Sequence, residues 1–571
     1  MKRTDSALRC LIVSDFNAAS LAAFLENGAG LPKIKAVCAA PGPVVPALLE
    51  PATFAAGYDL AVVWSSPEAS IPAYQSALLL EPFDSDVLSA EVERYADALA
   101  SAARHVPFVL ATSWTPVCPT VSLGLAAYKT GGPRLVLDQM NLQLARRLAL
   151  EPAVFFVNAG DWAQAAGGSP LNPKAYFHGK IPYRFELFEK AAGELRAAVA
   201  CLSLAPRKLL VVDLDDTLWG GVVGEVGVGG LRLGGHDAAG EAFVAFQRGL
   251  KSLANRGVVL AVLSKNDATV ALDAINSHPE MILRESDFSA HRINWCDKAE
   301  NLVELLEELN LGPESAVFID DSPAERARVR DALPEVLVPE WPRDKLLYTE
   351  ALAALRCFEA PSVSPEDRSR TLMYRAERDR RAQRTSFTSV SEWLEDLELR
   401  VELRPLDEVN LLRVAQLLSK VNQMNLTSRR LAAADLCKWA AAERHHIWAL
   451  TVSDKHGSSG LTGVVSYIQE EHEAHIVDFV LSCRVFGREV ELVMAHCLAE
   501  HAARSGARSL VATYLPTPRN KPCELFWQKR SGFERCGNTF TWDLSKWYPI
   551  PAHAELVSSV GKCPSHARRP R

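Results

Sequence analysis

Two aspartates at the end of an apolar run are the residues of this chain best suited to chemistry. The stretch Leu209-Leu210-Val211-Val212-Asp213-Leu214-Asp215 is typical of a buried strand that ends in two carboxylates, two positions apart. Side chains at that spacing point to the same side of an extended chain. Crowded carboxylates repel each other, and a hard divalent cation such as Mg²⁺ relieves the repulsion. The pair therefore predicts a metal site at which a carboxylate attacks phosphorus.

Two further positions offer groups that bind a phosphate. Ser264 follows the apolar run 258–263, and its hydroxyl can donate to a phosphate oxygen. Lys298 opens a predicted helix, and its ammonium can lie against both the phosphate and the attacking carboxylate. Because the carboxyl ends of parallel strands share one edge of a sheet, we expect these side chains to meet at that edge.

A second pair of aspartates can complete the metal shell. Asp320 and Asp321 follow the strand Val317-Phe318-Ile319. Each motif also has a simpler interpretation: Asp321 can cap the helix that begins near Ser322, and Asp216 can be structural. One such motif is weak evidence. Four in order, each close behind an apolar strand, favour a Mg²⁺-dependent phosphoryl-transfer site.

The order and placement of these four elements resemble the haloacid dehalogenase superfamily of phosphatases. There the first aspartate is the nucleophile and the second is a general acid and base. By this resemblance Asp213 and Asp215 take those roles, and Ser264 and Lys298 bind phosphate. The metal ligands that the resemblance implies are Asp213, Asp215, Asp320 and Asp321, with residue 215 contributing through the backbone region it shares with Leu214.

The spacing between the motifs bears on the size of the substrate. Large cap domains of that superfamily are inserted between the first and second motifs, or between the second and third. Here residues 213–264 and 264–298 leave room for little beyond the core elements. The glycine-rich stretch from Gly220 can form only a small flap. We therefore expect an open site that a carrier-bound group can reach.

The residues around the motifs narrow the resemblance. A resemblance to FkbH-like proteins rests on four stretches taken together: DLDDTLWGGVVGE (213–225), LSKND (263–267), FIDDSPAER (318–326) and residues 420–427. These proteins convert 1,3-bisphosphoglycerate into a glyceryl thioester on an acyl carrier protein, in polyketide-type biosynthesis. The residues of these motifs expected to bind substrate are Thr217, Ser264, Lys265 and Asn266.

The third part of the chain resembles the GCN5-related acetyltransferase fold. Arg484-Val485-Phe486-Gly487-Arg488-Glu489 follows a predicted strand and resembles the pyrophosphate loop of that fold. Backbone N–H groups at such a helix N-terminus can hold phosphates of a pantetheine-bearing ligand, with Arg484 beside them. Glu489 stands where the pattern has Gly or Ala, and its negative charge disfavours ordinary acetyl-CoA chemistry. A polar loop containing Asn422 and Asn425 is expected either to bind the acyl or pantetheine group or to be a plain turn.

A cysteine can relay the acyl group. A thiolate can attack the acyl-phosphate carbonyl and then pass the acyl group to the carrier. Cys483 is the preferred candidate, because Arg484 and a predicted helix N-terminus both lower a thiol pKa. Cys296, two residues from Lys298, is the second. For either, the simpler interpretation is a small buried hydrophobic residue.

The chain divides on these grounds into five segments of an α/β protein. They are a degenerate SGNH-hydrolase-like domain (1–204), a Rossmannoid phosphatase core with a minimal cap (205–345), a solvated helical linker (346–396), an acetyltransferase-like domain (397–552) and a disordered tail (553–571). In the first segment Asp15-Phe16-Asn17 lies where a Gly-Asp-Ser nucleophile turn is expected, without the serine. Asn141 and His178 are possible remnants of that site, and scaffolding or carrier docking is the preferred role.

Composition excludes several classes of protein. The 571 residues are 48% hydrophobic and 23% charged, with a formal net charge of −7, which argues against a dedicated nucleic-acid binder. The sequence contains no apolar stretch long enough to predict a membrane span. The twelve scattered cysteines suit reduced thiols and a cytoplasmic location.

The sequence thus predicts a Mg²⁺-dependent phosphatase and glyceryl transferase that acts on 1,3-bisphosphoglycerate, with an acyl carrier protein in trans. Three alternatives remain open: a phosphatase for another small phosphorylated metabolite, loading of a different hydroxyacyl unit, and a non-catalytic scaffold or acyltransferase-like binding module. The last is disfavoured by the intact set Asp213, Asp215, Lys298 and Asp320.

Overall fold

A computed structural model describes residues 7–28, 30–116, 123–165, 167, 169–204, 206–361, 363, 368, 370–384, 387–431 and 433–558. Within them the chain forms a five-stranded, a four-stranded and a nine-stranded sheet, each flanked by helices. The predicted α/β class is confirmed. The chain divides into two compact units, Met1–Lys208 with Glu350–Val363, and Leu209–Thr349 with Ser364–Arg571. The second and third predicted domains thus belong to one unit.

The first unit holds a parallel sheet with the order β2-β1-β3-β4-β5. Its strands are β1 (Leu8–Val13), β2 (Ile34–Cys38), β3 (Leu60–Val63), β4 (Val109–Thr112) and β5 (Val154–Val157). Hydrophobic cores lie on both faces, as expected of a parallel sheet. Its helices are Ala19–Asn27, Val44–Leu49, Pro67–Ser70, Ala73–Leu78, Ser85–Ala102, Pro133–Leu148, Ala159–Ala165, Pro173–Gly179 and Phe185–Ser203.

The second unit begins with a four-stranded parallel sheet of order β8-β7-β6-β9. The strands are β6 (Leu209–Val212), β7 (Val259–Ser264), β8 (Phe288–Ile293) and β9 (Ala316–Ile319). Every residue of β6, β7 and β9 is buried, so their sequences are continuous apolar runs. The helices here are Val223–Val226, Ala238–Asn255, Ala268–Ser277, Lys298–Leu309 and Pro323–Ala332, and the helix Tyr348–Ala353 begins in this unit and ends in the first.

The predicted small flap follows β6. Between that strand and the helix Ala238–Asn255, the described chain forms a bridge from Gly220 to Arg232, the one-turn helix Val223–Val226 and the 3-10 turn Val228–Gly230. Gly221 has a φ of +96°, a conformation that favours glycine. The next interval, up to Lys298, holds only core elements. Neither interval contains an inserted domain.

The rest of the second unit is a mixed sheet of order β16-β17-β15-β14-β13-β12-β10-β18, with β11 paired to β14. The strands are β10 (Leu399–Pro405), β11 (Met424–Asn425), β12 (His445–Asp454), β13 (Gly457–Glu470), β14 (Glu473–Leu481), β15 (Ser509–Thr513), β16 (Glu534–Cys536), β17 (Thr539–Asp543) and β18 (Ala554–Ser558). The helices are Arg370–Arg384, Val390–Asp396, Leu411–Lys420, Ala433–Ala440, Val490–Arg504 and Lys521–Lys529. None of the helices described is long and apolar enough to cross a bilayer.

The prediction of a disordered tail from residue 553 is wrong for its first part. Ala554–Ser558 forms strand β18, which pairs in parallel with β10 from Leu399 to Leu403. The edge of β10 supplies main-chain partners that composition does not reveal. Residues 559–571 lie outside the described part of the chain.

The prediction of a solvated linker is also wrong for helix Arg370–Arg384. Three of its arginines donate to main-chain oxygens of the four-stranded region: Arg370 to Gly257, Arg375 to Ser286, and Arg378 to Ser289. A fourth, Arg380, is 3% exposed and binds Asp454 at the end of β12. The charged residues of this helix therefore hold the four-stranded and nine-stranded sheets together.

Candidate active site

A lysine ammonium lies between two carboxylates at the carboxyl edge of the four-stranded sheet. Lys298 Nζ is 3.0 Å from Asp213 Oδ1 and 2.6 Å from Asp320 Oδ2. The three side chains are only 4%, 10% and 0% exposed, respectively. Asp213 follows β6, Asp320 follows β9, and Lys298 begins the helix after β8. The structure thus brings together three of the residues that the strand ends predicted.

The proton affinities of this group reflect two carboxylates sharing one cation. Burial raises the pKa of Asp213; Lys298 lowers it and the neighbouring Asp320 raises it again, and the net direction is upward. For Lys298, burial lowers the pKa of the ammonium, but the two carboxylates outweigh burial and raise it. The lysine is therefore charged, and the excess negative charge falls on the aspartates.

A third carboxylate joins this pair. One oxygen each of Asp213, Asp320 and Asp321 lies within 4.8 Å of the others. Burial raises the pKa of Asp321, and Lys345, at 3.6 Å, opposes that shift. Carboxylate oxygens are the ligands that Mg²⁺ prefers, and an excess of negative charge is what a divalent cation relieves. The donor set fits Mg²⁺.

Asp215 is held apart from that group. Its Oδ1 accepts from Trp219 Nε1 at 2.8 Å and from the Val223 backbone N–H at 3.2 Å, and its Oδ2 accepts from Asn266 Nδ2 at 2.8 Å. These donors hold its carboxylate toward the flap and the β7 loop, so the side chain is not part of the carboxylate group around Lys298. The contribution of residue 215 to the metal site through its backbone stays a prediction. Its role as a general acid and base stays a prediction.

The two polar residues after β7 differ in where they point. Ser264 is buried at the end of the strand, and Asn266 Nδ2, which binds Asp215, is also 3.5 Å from Ser264 Oγ. Lys265 instead directs its Nζ to Glu325 Oε1 at 2.6 Å. The structure thus links Ser264 and Asn266 to the site and pairs Lys265 with the helix Pro323–Ala332.

Thr217 is a buried residue that joins two turns of the site. The side chain has no exposed surface, and its Oγ1 accepts from the Asp321 backbone N–H at 3.2 Å. The threonine therefore joins the turn after β6 to the turn after β9, and the prediction that it contacts substrate is wrong in this conformation.

Sequence reasoning missed three residues of the site. Trp219 orients Asp215, while Lys345 Nζ and Tyr348 Oη donate to the main-chain oxygen of Asp216 at 2.7 and 3.0 Å. Asp216 has a φ of +52°, and these two donors stabilise its strained turn. Lys345 and Tyr348 lie some 130 positions further along the chain, so no local pattern could have found them.

Cys483 lies in a different part of the second unit. It is exposed, and it opens the short 3-10 turn Cys483–Val485. The helix that follows begins only at Val490, so the predicted effect of a helix N-terminus on this thiol does not apply. The cysteine lines a cavity of about 360 Å³ together with residues that include Gln423, Phe486 and Arg488. Cys296 is exposed near Lys298.

The other residues predicted to bind an acyl or pantetheine group have mostly structural partners. Arg484 donates to Ser482 Oγ at 3.3 Å and to the sulfur of Met373 at 3.0 Å. Burial and the nearby Arg413 lower its pKa to about 10. Asn422 is partly exposed in the loop before β11, and its role stays a prediction.

Asn425 is 2% exposed and stabilises a turn. Its Nδ2 donates to the Val421 oxygen and its Oδ1 accepts from the Ser428 N–H, while its own main-chain oxygen accepts from Asn520. These hydrogen bonds hold the buried side chain in the turn, which supports the plain-turn interpretation over a substrate contact at Asn425.

The predicted remnants of a hydrolase site in the first unit are also structural. Asp15 accepts from the Ser66 N–H and hydroxyl, and Asn141 exchanges hydrogen bonds with the main chain of Trp114. His178 lies exposed in the last turn of helix Pro173–Gly179. No contact among the three is found in the described part of the chain.

A parallel sheet with a buried lysine and three carboxylates at its carboxyl edge is an arrangement suited to phosphoryl chemistry. The chain is similar to a solved structure of that kind, the N-terminal part of protein BF1531 from Bacteroides fragilis, which contains a phosphatase domain and is complexed with Mg. The two share 26% identity with a TM-score of 0.55, over 62% of this chain and 95% of that chain.

Weaker likenesses are to acetyltransferases. They include the ribosomal-protein-S18-alanine N-acetyltransferase of Escherichia coli, at 8% identity and a TM-score of 0.21 over 25% of this chain and 94% of that chain. The spermidine N-acetyltransferase of Vibrio cholerae, solved with CoA and spermine, has 13% identity and a TM-score of 0.21, over 26% of this chain and 97% of that chain. Scores this low support no conclusion about this chain. No protein-family model and no curated relative matches it.

Proposed function

We propose that the protein is a Mg²⁺-dependent phosphatase of the haloacid dehalogenase type that also loads a glyceryl unit from 1,3-bisphosphoglycerate onto an acyl carrier protein in trans. The observation that carries the phosphatase half is the Lys298 ammonium shared by Asp213 and Asp320 beside Asp321. The likeness to a phosphatase domain complexed with Mg supports it. The glyceryl half rests on the FkbH-like motifs around residues 213–225, 263–267, 318–326 and 420–427.

Removal of the 3-phosphate follows from the positions of two aspartates. A carboxylate oxygen of Asp213 forms a bond to phosphorus while the bond from phosphorus to the substrate oxygen breaks. Asp215, oriented by Trp219 and Asn266, protonates that leaving oxygen. Water then cleaves the aspartyl phosphate, releases phosphate and returns its proton to Asp215. When bound by Asp213, Asp320 and Asp321, Mg²⁺ offsets charge on the phosphoryl oxygens.

Thioester formation is a separate step with its own leaving group. The 1-phosphate of 1,3-bisphosphoglycerate is an activated acyl phosphate. A thiolate attacks its carbonyl carbon, and inorganic phosphate leaves as the carbon–sulfur bond forms. Cys483 is the proposed relay, since it is exposed and lines a cavity. A second exchange passes the acyl group to the thiol of the carrier arm and restores the cysteine.

The test is intact mass spectrometry of a holo-carrier protein after incubation with the enzyme, Mg²⁺ and 1,3-bisphosphoglycerate, with released phosphate measured in parallel. We expect a glyceryl increment on the carrier. Asp213→Asn should stop removal of the 3-phosphate, which leaves a phosphoglyceryl increment. Cys483→Ala should stop loading, and loading at the parental rate would exclude that cysteine as the relay.

One observation favours the alternative of a phosphatase for another small metabolite. At the start of helix Val490–Arg504, Glu489 has a φ of +62° and pairs with Arg530 at 3.0 Å. Its carboxylate lies where the acetyltransferase pattern places the pyrophosphate loop, so nothing there favours CoA. Phosphate release from small phosphoesters with no acyl increment on any tested carrier supports this alternative. Loading from a different acyl phosphate supports another hydroxyacyl unit.

A further inference from the structure

An ion pair joins the two sides of the strand that carries Asp213. Lys265 Nζ lies 2.6 Å from Glu325 Oε1. Lys265 directly follows β7, whereas Glu325 lies in the first turn of the helix that follows β9. In the sheet, β6 lies between β7 and β9. Because neighbouring strands are about 4.8 Å apart, the two side chains together reach across about 10 Å at the end of β6.

The ion pair lies on the solvent side of the carboxylate group. The register of β6 and β7 places Lys265 two positions further toward the carboxyl edge than Asp213. The Lys265 and Glu325 side chains are 37% and 21% exposed, whereas those of Asp213 and Lys298 are 10% and 4% exposed. A phosphoester that enters from solvent with its phosphate toward Asp213 therefore leaves the rest of the molecule beside the ion pair.

Other cations near the carboxylates are held more firmly than Lys265. Lys298 lies between two aspartates, and Arg326, which is 5% exposed, donates to two main-chain oxygens of the turn after β9, at 2.8 Å each. Lys265 is half-buried and is paired with one partly exposed carboxylate. A partly exposed ion pair contributes little to stability, whereas a buried one is costly to break. An anion on a ligand can therefore replace Glu325 at Lys265 at a low cost in free energy.

We propose that Lys265 binds a second anionic group of the substrate, and that this anion displaces Glu325 from the lysine. The inference rests on the proposed function and names the substrate class of that site: phosphoesters with a carboxylate or a second phosphate on a short leaving group. The 1-phosphate places 1,3-bisphosphoglycerate in this class. Glu325 orients Lys265 in the free enzyme and competes with the anion for it, so a neutral leaving group leaves the ion pair in place and gains nothing from it.

The test compares three probes that share one phosphate and differ at the opposite end. They are 3-phosphoglycerate, glycerol 1,3-bisphosphate and glycerol 3-phosphate, which end in a carboxylate, a phosphate and a neutral hydroxyl. The measurement is kcat/KM per phosphate group for phosphate release by the full chain at saturating Mg²⁺. We expect at least one anionic probe to exceed glycerol 3-phosphate by about tenfold, because a hydrogen bond to a charged group contributes about that much. The better of the two identifies the anion, and equal values for all three overturn the proposal.

Variants of the ion pair test the selection itself. Lys265→Gln should reduce the preference for the anionic probes to about twofold or less, because the bond to a charged group is lost. Glu325→Gln should raise kcat/KM for those probes by about threefold, because it removes the competing partner of a partly exposed pair. The matched control is Lys251→Gln, whose lysine is 39% exposed and is paired with Asp287 just before β8, at the other edge of the sheet. A preference that persists in Lys265→Gln, or that is lost equally in Lys251→Gln, overturns the proposal.

Isothermal titration calorimetry with the same probes separates this inference from the proposed function. If all three probes release phosphate with the same kcat/KM, the selection by Lys265 fails and the phosphatase stands. If no probe releases phosphate, the phosphatase proposal fails and affinity decides the selection. Binding of an anionic probe about tenfold more tightly than glycerol 3-phosphate, with the difference lost in Lys265→Gln, supports the selection. Equal affinities overturn it.

Discussion

Two clusters of buried charge in the second unit are built from similar groups and differ in balance. At the carboxyl edge of the four-stranded sheet, Lys298 is shared by Asp213 and Asp320, with Asp321 alongside. Beside the nine-stranded sheet, Arg380 and Arg488 bind Asp454, at 2.7 and 3.0 Å.

The cluster beside the nine-stranded sheet is balanced in charge, and we call it the closed cluster. The cluster around Lys298 has an excess of negative charge, and we call it the open cluster. Glu377 also binds Arg488, at 2.6 Å, so the nine-stranded cluster has two cations for two carboxylates. In the first cluster, even with Lys345 counted beside Asp321, three carboxylates face two ammonium groups. A balanced, buried cluster has no need of a ligand, whereas an unbalanced one at a sheet edge favours a cation. Charge balance, rather than burial, thus distinguishes the candidate site from a structural ion network.

The largest expected effect tests the open cluster. Asp213→Asn keeps the shape of the side chain and removes the attacking carboxylate, so phosphate release should fall by at least about 10⁴-fold. The measurement is inorganic phosphate released per minute at saturating Mg²⁺. Asp331→Asn, at an exposed position of helix Pro323–Ala332, is the control and should keep parental activity. Activity within tenfold of the parent in Asp213→Asn contradicts the assignment.

Removing the lysine should destabilise the protein. Lys298→Met leaves two buried carboxylates without their shared cation and should lower the free energy of unfolding by about 4 kcal/mol, as for other broken buried pairs. The measurement is urea denaturation. Because a divalent cation can replace part of the missing charge, saturating Mg²⁺ should restore part of the loss. No recovery with Mg²⁺ contradicts an open cluster.

The closed cluster should respond differently to the metal. Asp454→Asn leaves Arg380 and Arg488 facing Glu377 alone and should cost about 3 kcal/mol in the same denaturation experiment. Mg²⁺ should restore none of this loss, because the cluster then has an excess of positive charge. Equal recovery in Asp454→Asn and Lys298→Met would remove the distinction between the two clusters.

A smaller change should weaken the metal site alone. Asp321 is half-buried and does not bind Lys298, so Asp321→Asn should leave the lysine bridge intact. Loss of one carboxylate should weaken Mg²⁺ binding by about tenfold, or about 1.4 kcal/mol. The thermal midpoint is followed against Mg²⁺ concentration, with Asp331→Asn as the control. An unchanged Mg²⁺ titration excludes Asp321 as a ligand.

The smallest expected effect concerns His501, a histidine that stays neutral in the folded protein at pH 7. His501 Nδ1 lies 2.7 Å from Tyr467 Oη, and burial lowers the pKa of this histidine to about 4. The unfolded chain binds this proton near pH 6.5, so the stabilising contribution is complete above that pH and is lost as pH falls toward 4. Because the ring is partly exposed, we expect about 1 kcal/mol.

The check is the loss of unfolding free energy between pH 7.5 and pH 5. His501→Gln should reduce that loss, and the exposed His472→Gln should not. An equal loss in parent and His501→Gln excludes this residue as a source of the pH dependence.

Much of the site could be predicted because its residues lie within one or two positions of buried strands. Asp213 and Asp320 directly follow β6 and β9, and a parallel sheet brings such positions to one edge. The orientation of Asp215 could not be predicted, because it depends on a hydrogen bond from the indole N–H of Trp219, four positions along the chain. Lys345 contacts the Asp216 turn from more than 120 positions away, a distance at which no spacing rule applies.

The same reasoning explains the errors elsewhere. The edge strand β2 could not be recognised from an apolar run, because its burial alternates along Ile34–Cys38. The helix predicted near Cys483 begins at Val490, because Gly487 and Glu489 have φ values of +78° and +62° that interrupt it. The arginines of Arg370–Arg384 suggested a solvated face, and only tertiary structure shows the carbonyls and carboxylates that receive them.

The helix Arg370–Arg384 has a consequence for how a substrate moves between the carboxylate cluster and the cavity that Cys483 lines. Since its arginines tie the two sheets of the second unit together, neither sheet is expected to swing toward the other during turnover. Transport then falls to the substrate. Under the proposed function the acyl group is tethered to a carrier arm, which would hold it at an effective concentration in the millimolar range. The length of that tether, rather than a domain motion, would then set how quickly the two proposed half-reactions follow each other.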